Sequence, residues 1–194
     1  MSWEREGYES HEGVVGVLLA DGTEPGPVFF DSSSGASFYE SIDWQYYDGS
    51  MRRPTAASMR GRCACGWRGE KAYPIDWQQV HRHDNPRDYD TSAPRADWKA
   101  HMDDVAARAV PLPQDLSTLL RQVRKRLDHL VDEEDEPLQV LKAADELEAI
   151  ISEIAPYAAS LITRSSTPLT KLAEAYGKTE KATSSRLSHY TYLR

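Results

Sequence analysis

The sequence predicts an α+β fold, in which a small antiparallel β-containing domain precedes an all-α C-terminal region. Short apolar runs separated by turn signals fill the first half, and apolar residues recur at helical spacing in the second. We expect a flexible tail over 1–12, a β-rich domain over 13–110, a helical hairpin over 111–160 and a helix-turn-helix over 161–194. The 40% hydrophobic and 28% charged content of the 194 residues favours a soluble globular protein.

Strand candidates precede the first helix. They are Gly13–Ala20, Pro27–Phe30, Ser37–Tyr47 and Ala56–Trp67. Asp-Gly or Arg-Gly turn signals follow three of them, which favours an antiparallel arrangement. The polar stretch from Asp84 to Pro94 holds two prolines and predicts a loop. Helical spacing of apolar residues then predicts a helix over Ala96–Val110.

Two amphipathic helices follow, over 114–131 and 138–154. The first carries an apolar stripe at Leu116, Leu119, Leu120, Val123, Leu127 and Leu130, and the second at Leu138, Leu141, Ala144, Leu147, Ile151 and Ile154. The acidic run Asp132–Glu136 and Pro137 separate them, because proline cannot continue the helix that precedes it. The two helices either pair as an antiparallel hairpin or form the interface of a homodimer.

A helix-turn-helix pattern lies at the C-terminus. Ala173 is the small residue needed where the two helices meet, and Gly177 tolerates the positive φ of the turn. Thr179 can cap the second helix through its hydroxyl. Thr183 stands where an aliphatic residue is usual. The apolar residues phased to hold both helices to the core are Leu172, Tyr176 and Leu187.

Charge distribution favours DNA binding by this segment, although the net charge of the chain is −8. From Leu161 onward the segment carries six basic and two acidic residues, and a phosphate backbone responds to the local charge. In the predicted register the second helix points these residues outward: Thr179, Glu180, Lys181, Ser184, Ser185 and Ser188. Residues placed to reach phosphates are Lys178, Arg186 and His189. The alternative is a helical hairpin packed on the rest of the protein, with its lysines merely solvated.

The pair Cys63 and Cys65 predicts a zinc site. A structural zinc needs four nitrogen or sulfur donors in tetrahedral geometry. The thiolates supply two, His101 a third, and His81 or His83 the fourth. The one-residue spacer is shorter than the usual spacing of zinc cysteines, and it would strain a disulfide.

The alternative for this segment is a pair of buried thiols beside core tryptophans, Trp67 and Trp98. A catalytic cysteine is disfavoured, because no accompanying motif is recognisable. More broadly, the chain lacks a nucleophile motif, a phosphate-binding loop or paired carboxylates, so we expect no enzymatic activity.

Two segments resemble parts of small actinobacterial proteins of uncharacterised function. The C-terminal resemblance covers about fifty residues and is carried by Leu147-Glu148, Ala155-Pro156, Leu172–Ala175, Gly177 and Ser184–Leu187. It implies a helix-turn-helix similar to region 4 of sigma factors. The second resemblance is a Cys-x-Cys-Gly-Trp element within Arg62–Gly69, followed by Trp-x-x-His at Trp98–His101.

Together these patterns predict a bacterial DNA-binding protein, a transcriptional regulator, that reads duplex DNA through its C-terminal helix-turn-helix. The alternative is a non-enzymatic protein-interaction module or an accessory protein of a phage or mobile element. No apolar run is long enough to span a bilayer, and no secretory signal is visible at the N-terminus. With only two cysteines, we expect a cytoplasmic protein without membrane partners.

Overall fold

The computed structural model describes residues 2–31, 38–132 and 134–192, and it confirms the predicted α+β fold. The chain divides into two units, Met1–Ala107 and Arg108–Arg194. Ser37, where the third strand was predicted to begin, and the last two residues of the predicted helix-turn-helix range lie outside the described residues.

The first unit contains a four-stranded antiparallel sheet in the order β1-β2-β5-β6, and a separate antiparallel pair, β3 and β4. The strands are β1 (Ser2–Trp3), β2 (Gly13–Leu18), β3 (Val28–Asp31), β4 (Phe38–Ser41), β5 (Ser58–Cys63) and β6 (Tyr73–Pro74). Strands β2 and β5 pair over their whole length, from Gly13 opposite Cys63 to Leu18 opposite Ser58. This register places the start of β2 beside the cysteine pair.

Two helices complete the first unit, α1 (Trp77–Val80) and α2 (Ser92–Arg108). Helix α2 buries Trp98 and Met102 in a core shared with both central strands. A Cβ atom added to Gly13 would lie 2.5 Å from the Trp98 indole. Only glycine at this position lets the helix lie so close to the sheet, and this contact fixes where the next turn of α2 presents its side chains.

The N-terminal segment differs from the flexible tail predicted over 1–12. Strand β1 pairs with β2, and the Trp3 side chain is buried with its ring 5.9 Å from that of Trp98. A short 3-10 helix, Glu9–His11, then leads into β2. Burial of a whole indole outweighs the polar composition of its neighbours, which is why the composition alone was misleading.

Several predicted boundaries also change. The strand expected over Ser37–Tyr47 is shorter in the structure, because a 3-10 helix, Trp44–Tyr46, follows β4 and buries Trp44. The predicted loop Asp84–Pro94 contains a 3-10 helix, Pro86–Asp88, and the first residues of α2. Proline is compatible with the first turn of a helix, since the amide hydrogen it lacks has no partner there.

The second unit is all helical, as predicted. Its helices are α3 (Gln114–Asp132), α4 (Pro137–Arg164), α5 (Leu169–Tyr176) and α6 (Glu180–Tyr192). Helices α3 and α4 pack as a hairpin, and α4 also packs against α6. Helix α4 continues past residue 160, so the predicted boundary between the hairpin and the helix-turn-helix falls within it. No helix in the described part of the chain is long and apolar enough to cross a membrane.

Candidate functional site

Four side chains capable of binding a metal ion converge in the first unit. They are His11, Cys63, Cys65 and His101, and their ligand atoms all lie within 4.8 Å of one another. Two thiols and two imidazoles form the donor set of many structural zinc sites. Three of the four were predicted from the sequence, and these residues together can hold a metal ion.

A tight turn at the end of β5 positions the two sulfur atoms. The Cys63 amide donates to the Trp67 carbonyl over 3.0 Å, and the Gly66 amide donates to the Cys63 carbonyl over 3.0 Å. Gly66 has a φ of +98°, in the region that favours glycine. The turn therefore brings Cys65 back beside the last residue of the strand.

The two histidines come from elements on either side of this turn. His11 ends the 3-10 helix before β2, and its backbone carbonyl accepts a hydrogen bond from the Trp98 indole over 3.2 Å. His101 lies one turn further along α2 than Trp98 and stacks on Trp67 with ring centroids 4.5 Å apart. Trp98 thus anchors the backbone of His11, and Trp67 holds the imidazole of His101 in place.

Two sulfur–nitrogen distances in the cluster are close to those of a tetrahedral zinc site. Nδ1 of His11 is 3.7 Å from Sγ of Cys63, and Nε2 of His101 is 3.4 Å from Sγ of Cys65. With zinc–sulfur bonds of about 2.3 Å and zinc–nitrogen bonds of about 2.05 Å, tetrahedral angles separate sulfur from nitrogen by roughly 3.6 Å. The side chains therefore need little rearrangement to bind an ion.

Hydrogen bonding favours a thiolate at Cys65, and it outweighs the opposing effect of burial on the pKa of that thiol. A hydrogen bond from Cys63 to Cys65 lowers the pKa of the Cys65 thiol, and hydrogen bonds from His101 and His11 lower it further. The same hydrogen bond, together with burial, raises the pKa of the Cys63 thiol. Both cysteines are free, with Cys63 buried and Cys65 exposed. A thiolate is the form of cysteine that binds metals, so the environment already supports one ligand.

The fourth predicted ligand was wrong, because the structure brings His11 to the cluster and not His81. His81 is exposed at the end of α1, where its ring lies 6.0 Å from that of Trp77. His83, the other candidate, lies against Tyr89. His11 is buried, and its Nε2 has no hydrogen-bond partner among the described residues. The nitrogen that faces the cluster is Nδ1, 3.7 Å from the sulfur of Cys63, and this position is consistent with a ligand.

The C-terminal helices form the predicted helix-turn-helix. Gly177 ends α5 with a φ of +66°, and its amide donates to the carbonyls of Ala173 and Glu174. Thr179 accepts a hydrogen bond from the Ala182 amide through its hydroxyl, over 3.2 Å, so it caps α6 as predicted. The turn residue and the cap thus have the roles that the sequence assigned to them.

Small residues lie where the three helices α4, α5 and α6 meet. Ala159, Ala173 and Thr183 are each at most 5% exposed. The Thr183 hydroxyl has no hydrogen-bond partner among the described residues. An aliphatic side chain would suit this position better, because a buried unpaired hydroxyl costs free energy.

The outward face of α6 carries most of the residues predicted to contact DNA. Glu180, Lys181, Ser184, Ser185, Arg186, Ser188 and His189 are exposed, and Lys178 and Thr179 are half-buried. Lys178 lies over the Tyr176 ring at 5.4 Å, and Arg186 lies over the Tyr190 ring at 5.0 Å. The described part of this face therefore combines short polar side chains with flanking cations.

Comparison of the chain with protein-family models, with curated proteins and with solved structures finds no match in any of the three. The resemblance to actinobacterial proteins therefore stays a prediction, and the functional argument rests on the geometry of these two sites.

Proposed function

We propose that this chain is a DNA-binding protein, a transcriptional regulator, that reads duplex DNA through α6. The observation that carries the proposal is the exposed polar face of a helix that follows a glycine turn and a threonine cap. In proteins with this motif the second helix lies in the major groove. The function is one of binding rather than catalysis.

The side chains on α6 suit a helix pressed against base edges. Ser184, Ser185 and Ser188 are short enough to let the helix backbone approach the groove, and hydroxyls both donate and accept hydrogen bonds. Lys181 and Arg186 add the positive charge that phosphates attract. Glu180 fits base reading, since a carboxylate can accept from cytosine N4.

Salt-dependent duplex binding tests this function. We expect the full chain to raise the fluorescence anisotropy of a labelled duplex at low salt, with an affinity that falls steeply as salt increases, because each phosphate contact releases counterions. A chain that gives no anisotropy change at low salt, with zinc present and with zinc removed, is not a DNA reader.

We propose further that the metal ion is zinc. A donor set of two cysteine sulfurs and two imidazole nitrogens favours zinc over hard cations such as magnesium or calcium, which prefer oxygen. All four ligands come from the chain, and closed sites of this type are structural rather than catalytic. Elemental analysis of purified protein should find about one zinc per chain, and its absence would contradict the assignment.

The alternative function is a protein-interaction module, such as an accessory protein of a phage or mobile element. It is favoured by one observation, the large exposed apolar surface of α3 and α4. A negative result in the duplex experiment would favour this alternative.

A further inference from the structure

One apolar face covers the C-terminal half of α4. Its members recur at three- and four-residue spacing and are 37–70% exposed: Ile150, Ile151, Ile154, Tyr157, Leu161 and Ile162. We call this set the α4 face. It adjoins a groove of about 530 Å³ between α4, α5 and α6, whose lining includes Leu172, Tyr176 and Leu187. The α4 face is the side of α4 that leaves apolar side chains in contact with water.

The size of the α4 face approaches that of a protein interface. At these exposed fractions the six residues present roughly 600 Å² of surface, at the top of the roughly 300–600 Å² that the largest apolar patch on a typical monomer covers. Each partner in a standard interface buries about 800 Å². The α4 face therefore supplies most of one partner's share of a standard interface, and the adjoining groove extends the apolar surface.

We propose that a second copy of this chain covers the α4 face, so that the two α4 helices pair antiparallel and each lies along the groove of the other. An interface of this kind is isologous, since the same surface serves both partners. The sequence predicted a homodimer through helices 114–131 and 138–154. The exposed face places the contact further along α4, at 150–162.

Charges at the two ends of the α4 face are complementary in this arrangement. Glu146 precedes the face and Arg164 follows it, at equal distances along the helix from Ala155. The helical period places both on the same flank of α4. Antiparallel pairing centred on Ala155 therefore brings Glu146 of each copy opposite Arg164 of the other, whereas parallel pairing would form no such ion pair.

Dimerisation through this surface leaves the proposed DNA-reading face open. Thr183 and Leu187 of α6 point into the groove, whereas Lys181 and Ser185 are exposed. The dimer would present two copies of α6, as paired half-sites require. The pairing itself does not depend on DNA binding, and its test is made without DNA.

The mass of the full chain in solution tests the proposal. We expect size-exclusion chromatography with light scattering to give twice the 21.9 kDa chain mass for the wild type. Ile154→Asp should weaken the dimer on the order of 100-fold, because it buries an unpaired carboxylate at the interface. Leu138→Asp is the matched control, since Leu138 is also exposed but lies about 160° around α4 from Ile154, and it should stay dimeric.

A charge exchange tests the antiparallel geometry. Arg164→Glu should weaken the dimer, and adding Glu146→Arg to the same chain should restore it. Far-UV circular dichroism establishes that each variant is folded. A wild-type protein that is monomeric at about 100 µM, a concentration well above the Kd of a specific interface, overturns the proposal. A dimer that Ile154→Asp leaves unchanged overturns it as well.

Discussion

The imidazole of His101 stacks on the indole of Trp67, with the two ring planes 6° apart and the centroids 4.5 Å apart. Trp67 follows the turn that carries the cysteines, so this stack ties α2 to the turn. It also directs Nε2 of His101 at the sulfur of Cys65, 3.4 Å away. The orientation of one ligand is therefore set by a residue that does not bind the metal itself.

Removing the stacking partner should weaken metal binding without changing the ligands. We expect Trp67→Leu to lower zinc affinity about 10-fold or more, the range seen when groups that orient metal ligands are removed. Trp67→Phe keeps an aromatic face and should remain close to the wild type. Competition with a zinc chelator measures both affinities, and equal values for wild type and Trp67→Leu would show that the stack has no positioning role.

Replacing His11, but not His81, should release the metal. His11→Gln removes a ligand while roughly keeping side-chain size, so we expect zinc content to fall well below that of the wild type. His81→Gln is the control and should retain about one zinc per chain, because His81 lies outside the cluster. Elemental analysis of the two variants compares them. Loss of zinc from His81→Gln alone would show that the sequence-based ligand set is the correct one.

Metal removal should also lower stability. A ligand that binds only the folded state adds about 2.7 kcal/mol to the free energy of unfolding at a free concentration 100 times its Kd. We therefore expect a chelator to lower the denaturation midpoint of the wild type and to leave that of Cys63→Ser unchanged. An identical shift of the denaturation midpoint in both proteins would show that Cys63 is not needed for metal binding.

Removing the buried Thr183 hydroxyl should increase the stability of the protein. Thr183→Val keeps the shape of the side chain and removes an unpaired polar group, so the free energy of unfolding should rise by about 1 kcal/mol. Thr163→Val is the control. The Thr163 hydroxyl donates to the Ala159 carbonyl over 2.9 Å, and its loss should give no gain. Urea denaturation measures both, and a less stable Thr183→Val would show that the hydroxyl has a partner.

The helix-turn-helix could be predicted from the sequence because its signals are local. Gly177 and Thr179 are two residues apart, and backbone conformation and capping at such positions depend on near neighbours. Thr183 was likewise correctly predicted to be buried, since helical periodicity determines which side of α6 it occupies.

The complete metal cluster could not be predicted, because it depends on strand register. His11 and Cys63 are 52 residues apart and meet only because β2 and β5 pair with Gly13 opposite Cys63. No local pattern encodes that pairing. His101 could be predicted because Trp98–His101 matches the Trp-x-x-His element that accompanies the cysteine pair, whereas for the fourth ligand the sequence offered His81 or His83 and no pattern that pointed to His11.

The central claim is that α6 reads DNA, and a charge reversal at Lys181 tests it most directly. Lys181 is exposed in the first turn of α6, where a glutamate also interacts favourably with the helix dipole, so Lys181→Glu should leave the denaturation midpoint unchanged. Lys142→Glu makes the same change in net charge at an exposed position of α4.

The decisive measurement is duplex affinity by fluorescence anisotropy at low salt, for the wild type and both variants. We predict that Lys181→Glu weakens binding about 10-fold or more, because it loses an attraction to phosphate and adds a repulsion, while Lys142→Glu binds almost as the wild type does. Equal affinities for Lys181→Glu and the wild type would contradict the assignment of α6 as the DNA-reading helix.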